Sequence, residues 1–179
     1  EMTGYSAPSG SRYMSDEVKT IGYDIEFEND PEIANSSAHR IVIENQLDPT
    51  KFDLKTFTPK DITLSGKTVE LDGEKSFVKT IDLRPQINAL AQLECDYSVQ
   101  GVLPVNADGT SGIGNVTYTV DLLRTFPDGT EVANSASIIF DNNDPIVTPV
   151  WVNTVDAVKP TGRVATATVV ADTTAVLTF

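Results

Sequence analysis

Apolar and polar residues alternate along much of this chain. Between residues 18 and 27 the alternation has a period of two, which is the pattern of a β-strand with one buried face. Similar patterns predict nine further strands, at residues 38–46, 52–57, 61–65, 68–72, 77–83, 91–98, 115–123, 130–141 and 146–155. Turn sequences such as Asp-Gly and Asp-Pro separate these segments. Many short strands without helices between them predict an all-β protein folded as an antiparallel β-sandwich.

The alternation also predicts which side chains form the core. Apolar residues that share one face of a strand point between the two sheets of a sandwich. This rule places nine residues in the core: Ile21, Tyr23, Ile25, Phe27, Val116, Tyr118, Val120, Ile138 and Phe140. A chain of 179 residues is long enough for one full core of this kind.

Two segments deviate from the strand pattern. Pro85 begins a stretch in which Ile87, Leu90 and Ala91 have helical spacing, so a short helical crossover is predicted at residues 85–90. Residues 101–114 form a glycine-rich segment. Because this segment lacks the strand-to-helix context of a phosphate-binding loop, we interpret it as an ordinary loop.

The C-terminal residues differ in composition from the rest. Residues 161–179 are nearly uncharged and rich in Val, Ala and Thr, and they predict a hairpin with its turn at 172–174. An isolated hairpin is only marginally stable in water, so we expect this one to open a following β module. The predicted organisation is a sandwich module at 1–157, with an ordered core at about 10–157, and a linker with the first strands of the next module at 158–179.

The charge balance is strongly acidic. The chain has 13 basic and 26 acidic residues and a formal net charge of −13. Nucleic acids and anionic membranes both require basic protein surface, so we predict neither as a partner. No apolar run approaches the roughly 20 residues of a membrane-spanning helix, so membrane insertion is not predicted. Because no signal-peptide pattern begins at Glu1, we expect the chain to be part of a larger protein.

Residues that common hydrolases require are scarce. His39 is the only histidine and Cys95 the only cysteine, whereas serine triads, cysteine proteases and zinc hydrolases each need a histidine with specific partners. The patterns GxSxG and HExxH are absent. We therefore predict no enzyme activity, a structural role for His39 and a buried position for Cys95.

Four segments in a fixed order resemble a known β-sandwich module. They are IGYDIEFEND (21–30), VIENQLDPTKFDLKTF (42–57), QGVLPVN (100–106) and GTEVANSASIIFDNNDPIVTPVWVNTVD (129–156), followed by Lys159-Pro160. Over about residues 18–160 they resemble the Ig-like conserved-repeat modules of large secreted and surface proteins of Gram-negative bacteria, although a longer insertion before QGVLPVN is missing here. The resemblance implies an Ig-like fold, an extracellular or cell-surface location, and a non-catalytic spacer or adhesion role beside neighbouring modules of the same chain.

An acidic corner lies between the last two strands predicted before the tail. Its sequence, Asp141-Asn142-Asn143-Asp144-Pro145, resembles the Asp-x-Asn-Asp linker of cadherins, which implies calcium. The cadherin linker continues with an Asn after these four positions, whereas this chain has Pro145 there. Calcium takes about six to eight oxygen ligands, commonly from separate loops. The candidate ligands are Asp141, Asn143 and Asp144 in the corner, completed by Glu28, Asp30 or Asp156. The alternative is that these side chains only stabilise a turn.

Two functions remain open. The first is an extracellular spacer or adhesion-type repeat, with a surface protein or a glycan as its external ligand. The second is a carbohydrate-binding module attached to a secreted enzyme, which requires a platform of exposed aromatic side chains. An exposed Trp151 favours the carbohydrate-binding module, and a buried Trp151 favours the spacer.

Overall fold

The computed structural model describes residues 1–5, 12–70, 80–82, 90–96, 103–158, 162, 166–171 and 174–178. All regular structure in these residues is β, and no helix among them is long and apolar enough to cross a membrane. The strands are β1 (Met2–Tyr5), β2 (Tyr13–Met14), β3 (Thr20–Glu28), β4 (Arg40–Gln46), β5 (Phe52–Leu64), β6 (Lys67–Glu70), β7 (Thr80–Asp82), β8 (Leu90–Asp96), β9 (Ile113–Leu122), β10 (Glu131–Asn134), β11 (Ala136–Phe140), β12 (Ile146–Val147), β13 (Trp151–Val155), β14 (Thr166–Ala171) and β15 (Thr174–Thr178).

Three sheets form the sandwich in the described part of the chain. Two have five strands each, in the orders β1-β3-β9-β5-β6 and β12-β11-β4-β8-β7, and the third has three strands, in the order β10-β13-β2. Their strand pairs are antiparallel, except that β13 and β2 run parallel. The predicted antiparallel β-sandwich is confirmed, with one parallel pair that the pattern did not predict.

In the described residues, one hydrophobic cluster lies between the sheets. On β3, Ile21, Tyr23, Ile25 and Phe27 are each at most 4% exposed, because alternate residues of a strand point to the same face. The Phe27 ring packs edge-on against Phe140 of β11, with 6.2 Å between the ring centroids, and this contact joins the two five-stranded sheets. Eight of the nine predicted core residues are buried, and Phe140 is partly buried against the same cluster.

Some predicted strands are divided or joined in the structure. The predicted strand 130–141 becomes β10 and β11, which belong to different sheets on either side of Ser135. The predicted strand 146–155 likewise becomes β12 and β13, with Pro149 between them. Conversely, β5 joins the predicted strands 52–57 and 61–65, because register shifts let its ladder to β9 continue past Pro59.

The first residues form a strand that the sequence pattern did not predict. β1 pairs with β3, from Met2 opposite Ile25 to Tyr5 opposite Gly22. The Met2 side chain is 3% exposed, so the packed part of the module begins before the expected start near residue 10.

The last predicted elements have separate outcomes. The tail hairpin is present, because β14 pairs with β15 in an antiparallel two-stranded sheet. The predicted helical crossover lies outside the described residues up to position 89, and Leu90 already belongs to β8.

Strand directions place the two ends of the sandwich at opposite poles. At the N-terminal pole, Glu1 exchanges backbone hydrogen bonds with Glu26 near the end of β3. At the C-terminal pole, Asp156 follows β13 and donates its N–H to the Met14 carbonyl at 2.7 Å. At the same pole, the Gly129 N–H donates to the carbonyl of Val155, the last residue of β13, at 2.8 Å. From Gly129 the chain runs through β10 and β11 back to the N-terminal pole.

Candidate functional site

The acidic corner follows β11 at the N-terminal pole. Asp141 has a φ of 53°, in the left-handed region that Asp and Asn enter more readily than most residues. Its Oδ1 accepts hydrogen bonds from the backbone N–H groups of His39 and Arg40, both at 2.8 Å. Its own N–H donates to the Arg40 carbonyl at 2.7 Å. Asp141 therefore fixes the corner to the start of β4.

The remaining oxygen-bearing side chains of the corner face solvent. Asn143 and Asp144 are exposed, and the Asn143 N–H donates to the Phe140 carbonyl at 3.0 Å. Asp141 thus serves the turn through one carboxylate oxygen, while Asn143 and Asp144 keep exposed oxygen atoms. The geometry supports the turn role of the corner and leaves groups that a cation could bind.

A second polar corner follows β3 at the same pole. The exposed Glu28 carboxylate accepts a hydrogen bond from Asn106 Nδ2 at 2.6 Å. Asp30 Oδ1 accepts the Glu32 N–H at 2.8 Å. Both predicted ligands from this corner therefore already bind donors of the protein through one oxygen.

Two buried asparagines, which the sequence analysis did not single out, hold the loops of this pole. Asn29 is 8% exposed, and its Nδ2 donates to the Ser36 and Leu103 carbonyls at 3.0 and 3.1 Å. Asn106 is 6% exposed, and its Oδ1 accepts the Gly112 N–H at 3.2 Å. The available signal was an Asn directly after a strand or an apolar run, where side-chain amides commonly satisfy loop backbone groups.

A carboxylate beside Asn106 adds negative charge to the pole. Asp108 Oδ1 accepts the backbone N–H groups of Ser111 and Thr110 at 2.7 and 2.9 Å. These hydrogen bonds favour the ionised form and hold the pKa of Asp108 well below its usual range. Asp108 therefore keeps its negative charge into the acidic pH range.

The structure separates one predicted calcium ligand from the others. Glu28, Asp30 and the corner residues share the N-terminal pole, whereas Asp156 lies at the C-terminal pole beside Met14. Asp156 therefore does not share a site with Asp141. Among the described residues, no group of three or more His, Cys, Asp or Glu side chains could hold a metal ion. Calcium at the corner stays a prediction that needs further oxygen ligands from amides, carbonyls or water.

Trp151, the residue chosen to separate the two candidate functions, packs into the sandwich. Its side chain is partly buried against the core, and its Nε1–H donates to Asn153 Oδ1 at 3.0 Å. The Arg12 guanidinium carbon lies 4.6 Å from the centroid of the Trp151 ring, and Gly4 of β1 lies against the same ring. This packing favours a structural role for Trp151.

The residues considered for catalysis have different outcomes. His39 is exposed and donates its backbone N–H to Asp141 Oδ1. This bond does not involve the imidazole, so a structural role for the side chain stays a prediction. The side chain of Cys95 lies outside the described residues, so its predicted burial stays a prediction.

A cleft of about 530 Å³ lies at the C-terminal pole. It is lined by residues 16–19 and by Asp121, Leu122, Arg124 and Thr125. Its lining combines the carboxylates of Asp16, Glu17 and Asp121 with the cationic side chains of Lys19 and Arg124 and with the apolar Val18 and Leu122.

Comparison with solved structures shows where this fold occurs. Domains D2 and D3 of the major pilin SpaD from Corynebacterium diphtheriae match 85% of this chain and 51% of that chain, with 12% identity and a TM-score of 0.55. The N-terminal domain of the Streptococcus gordonii adhesin Sgo0707 matches 86% of this chain and 32% of that chain, with 11% identity and a TM-score of 0.54. The C-terminal domain of the Streptococcus pyogenes antigen I/II-family protein AspA matches 86% of this chain and 45% of that chain, with 13% identity and a TM-score of 0.50.

The chain thus spans about half or less of the length of these structures. At these identities the similarity concerns the fold, and it confirms the predicted Ig-like sandwich class. No curated protein matches the chain significantly. A family model described as "Domain of unknown function (DUF7619)" matches residues 5–154. Because that match spans most of the 179 residues, the chain belongs to the DUF7619 family.

Proposed function

We propose that this chain is a non-catalytic structural module of a large bacterial surface or secreted protein, with a spacer or adhesion role. The observation that carries the proposal is the opposite placement of Glu1 and Asp156 at the two poles. A chain that passes through the sandwich from pole to pole lengthens a string of modules by one sandwich per copy. Neighbouring modules of the same protein are the proposed partners.

The fold and the surface charge support this proposal. Structures with a similar fold include a pilin and an adhesin by their names, although the similarity itself concerns the fold only. A net charge of −13 suits a solvated external surface and disfavours nucleic acid as a ligand. A surface protein or a glycan remains the proposed class of external ligand, and the Gram-negative origin implied by the sequence resemblance remains part of the proposal.

Trp151 supports the spacer over the carbohydrate-binding module. A sugar platform needs aromatic faces that are open to solvent, whereas Trp151 is only partly exposed and has Arg12 over its ring. Among the aromatic side chains that the structure describes, Tyr13 is exposed to 66% and is the one large exposed ring, and one ring does not form a platform.

Antibody labelling of intact cells tests the proposed location. An antibody raised against the purified chain should label whole cells of the source bacterium, or detect the protein in their medium. External protease should remove the label from whole cells, and an antibody against a cytoplasmic protein serves as the control. Label that appears only after the cells are opened would contradict the extracellular part of the proposal.

A further inference from the structure

The first and the last strand of the sandwich both run along the line that joins the two poles. β1 starts at the N-terminal pole, because Met2 lies opposite Ile25 near the end of the antiparallel β3. β13 ends at the C-terminal pole with Val155. Both strands therefore run from the N-terminal to the C-terminal pole. A pull that separates the poles acts on these two strands along their own axes and in opposite directions.

The short strand β2 ties the N-terminal segment directly to β13. The two strands run parallel, and Met14 lies beside Val155. The Thr154 N–H donates to the Arg12 carbonyl, and the Asp156 N–H donates to the Met14 carbonyl, both at 2.7 Å. Tension from the N-terminal pole reaches β2 through its first residue, whereas tension from the C-terminal pole reaches β13 through its last residue. Separation of the poles therefore requires β2 and β13 to slide past each other.

β1 is held against β3 in the same orientation to the pull. Their ladder extends from Met2 opposite Ile25 to the last residue of β1. The amino group of Glu1 donates to the Glu26 carbonyl at 2.6 Å, and the Glu26 N–H donates to the Glu1 carbonyl at 2.8 Å. The Met2 side chain is 3% exposed, so sliding of β1 would also draw an apolar side chain out of the core.

The Trp151 side chain joins the N-terminal segment to the last strand. Trp151 is the first residue of β13. The Arg12 guanidinium carbon lies 4.6 Å from the centroid of its ring, and Gly4 of β1 packs against the same ring. Contacts from both sides of the 6–11 segment thus meet one side chain of β13, in addition to the backbone hydrogen bonds of β2.

The direction of a pull decides how a ladder of strands breaks. Hydrogen bonds between strands lie across the strand axis. A pull along the strands loads all bonds of a ladder together, whereas a pull across one end of the ladder breaks them one at a time. The barrier to unfolding therefore contains several bonds in the first case and one bond in the second. Survival under tension depends on this barrier, because forced unfolding is governed by the unfolding rate.

We propose that β1 on β3 and β2 on β13 form a terminal clamp, with which this chain carries tension between its two poles. The clamp adds a mechanical function to the proposed spacer role and rests on it, since a module within a string is pulled at both poles. Strand pairs of this orientation at both ends of the sandwich resist such a pull by shear.

Single-molecule force spectroscopy in two pulling geometries tests the clamp. In the first geometry, handles fused before Glu1 and after Phe179 pull the chain from pole to pole at constant force. In the second geometry, one handle is attached to a click-reactive residue at position Thr125, which is exposed at the C-terminal pole, and the other handle stays after Phe179. Tension then reaches Glu131 and Thr154, which lie opposite each other at one end of the β10–β13 ladder, so this ladder unzips.

The sandwich should survive at least about tenfold longer in the pole-to-pole geometry, because several hydrogen bonds then break together instead of singly. The β14–β15 hairpin lies between the sandwich and the C-terminal handle in both geometries, so its opening does not affect the comparison.

A proline in place of Asp156 tests the bonds between β2 and β13. Asp156→Pro removes the N–H that donates to the Met14 carbonyl, and it should shorten the pole-to-pole lifetime about tenfold. Lys67→Pro is the matched control, because it also removes a backbone N–H, but from β6 at the edge of the sheet opposite to β1. This control should shorten the pole-to-pole lifetime less than Asp156→Pro does. Arg12→Ala, which removes the cation over Trp151, should shorten the lifetime as well.

Two outcomes overturn the clamp: equal lifetimes of the original chain in the two geometries, or a folded Asp156→Pro chain that survives as long as Lys67→Pro. If Asp156→Pro does not fold, an Arg12→Ala chain with the original pole-to-pole lifetime overturns it instead. Antibody labelling of cells does not depend on mechanical strength, so failure of the clamp is distinct from failure of the proposed location and function.

Discussion

Two neighbouring buried tyrosines show how single residues influence the stability of this sandwich. The rings of Tyr23 and Tyr118 lie 5.3 Å apart between centroids. Burial raises the pKa of both phenols, with the nearby Asn134 amide as a smaller opposing influence. Asn134 Nδ2 donates to Tyr118 Oη at 2.9 Å. Tyr23 Oη is buried and has no hydrogen-bond partner of normal geometry among the described residues.

The two hydroxyls should therefore respond differently to removal. Tyr23→Phe should leave the free energy of unfolding unchanged or raise it, because it removes a buried hydroxyl without a partner. Tyr118→Phe should lower it by about 1–2 kcal/mol, since the Asn134 amide loses its acceptor. Urea denaturation of both variants measures the difference. Equal costs in the two variants would mean that Tyr23 Oη has a partner.

Asp24 is a residue whose charge opposes folding. It lies on the outer face of β3, is partly buried, and accepts a hydrogen bond from Asn115 Nδ2. Burial raises the pKa of Asp24, the Asn115 hydrogen bond lowers it, and the charges of Glu26 and Asp61 raise it further, with a net upward direction. The folded state then binds more protons than the unfolded state just above the usual Asp pKa, so stability falls as the pH rises through this window.

Asp24→Asn should therefore raise the melting temperature at about pH 7, because it removes the charge and keeps an acceptor for Asn115. The gain should shrink as the pH falls and vanish below about pH 3, where Asp24 is protonated in both states. Asp108→Asn is the control with opposite sign and should lower the melting temperature at neutral pH. The pKa of Asp108 is lowered in the folded state, so its charge stabilises the fold at neutral pH. This stabilisation is lost as the pH falls through the lowered pKa. Melting curves that show the same pH dependence for both variants would contradict the assignment.

Among the elements, β1 depends on a close approach between its backbone and two aromatic rings. A Cβ on Gly4 would lie 2.7 Å from Trp151 Cδ1 and 2.8 Å from Tyr23 Cε1, which is closer than real Cβ atoms come. β1 thereby connects the edge of β3 to β13, and it closes one side of the sandwich.

Gly4→Ala should lower the free energy of unfolding by about 1–3 kcal/mol, the usual cost of forcing an extra methyl group into packed rings. Gly162→Ala is the matched control, because no heavy atom lies within 4 Å of the position of its added Cβ. Urea denaturation compares the two. If Gly4→Ala is as stable as the control, β1 does not pack against Trp151 as described.

The tail hairpin is the other element whose role can be tested. In the described residues, β14 pairs only with β15, as expected for strands that open a following module. Removal of residues 161–179 should shift the melting temperature of the sandwich by less than about 2 °C. A large drop would show that the hairpin completes the first module.

For the whole molecule, the concentration of acidic groups at the N-terminal pole motivates the calcium prediction. Glu28, Asp30, Asp108 and the 141–144 corner share this pole on a chain of net charge −13, although no three of the described carboxylates converge on one point. A bound divalent cation relieves the repulsion among such carboxylates.

Millimolar calcium, compared with chelator, should raise the melting temperature of the original chain. Calcium that binds only the folded state raises the free energy of unfolding by about 2.7 kcal/mol when the free calcium concentration is a hundred times the dissociation constant. Asp144→Ala should lose this gain, whereas Asp156→Ala should keep it, because Asp156 lies at the opposite pole. No shift in the original chain, or an equal gain in Asp144→Ala, would mean that the corner is only a turn.

Local patterns were sufficient to predict most strands and part of the core, because the buried cluster also contains residues such as Met2, Phe52 and Leu103 that were not assigned to it. Ile21 to Phe27 could be assigned to one buried face because the period of a strand depends only on neighbouring residues. The turn role of Asp141 was also open to prediction, since Asp commonly bonds to nearby backbone in tight turns. Its actual donors, His39 and Arg40, lie about a hundred positions earlier in the chain, and no local pattern indicates them.

The sequence alone thus determined that this chain forms many short strands with one buried face, because side-chain alternation and turn residues act over a few positions. Only the tertiary structure decided which sheet each strand joins. The change of sheet at Ser135, the parallel pairing of β13 with β2, and the burial of β1 under Trp151 all depend on residues far apart in sequence. The same long-range packing separates Asp156 from Asp141, because pairing fixes strand direction and strand direction fixes which pole a loop occupies.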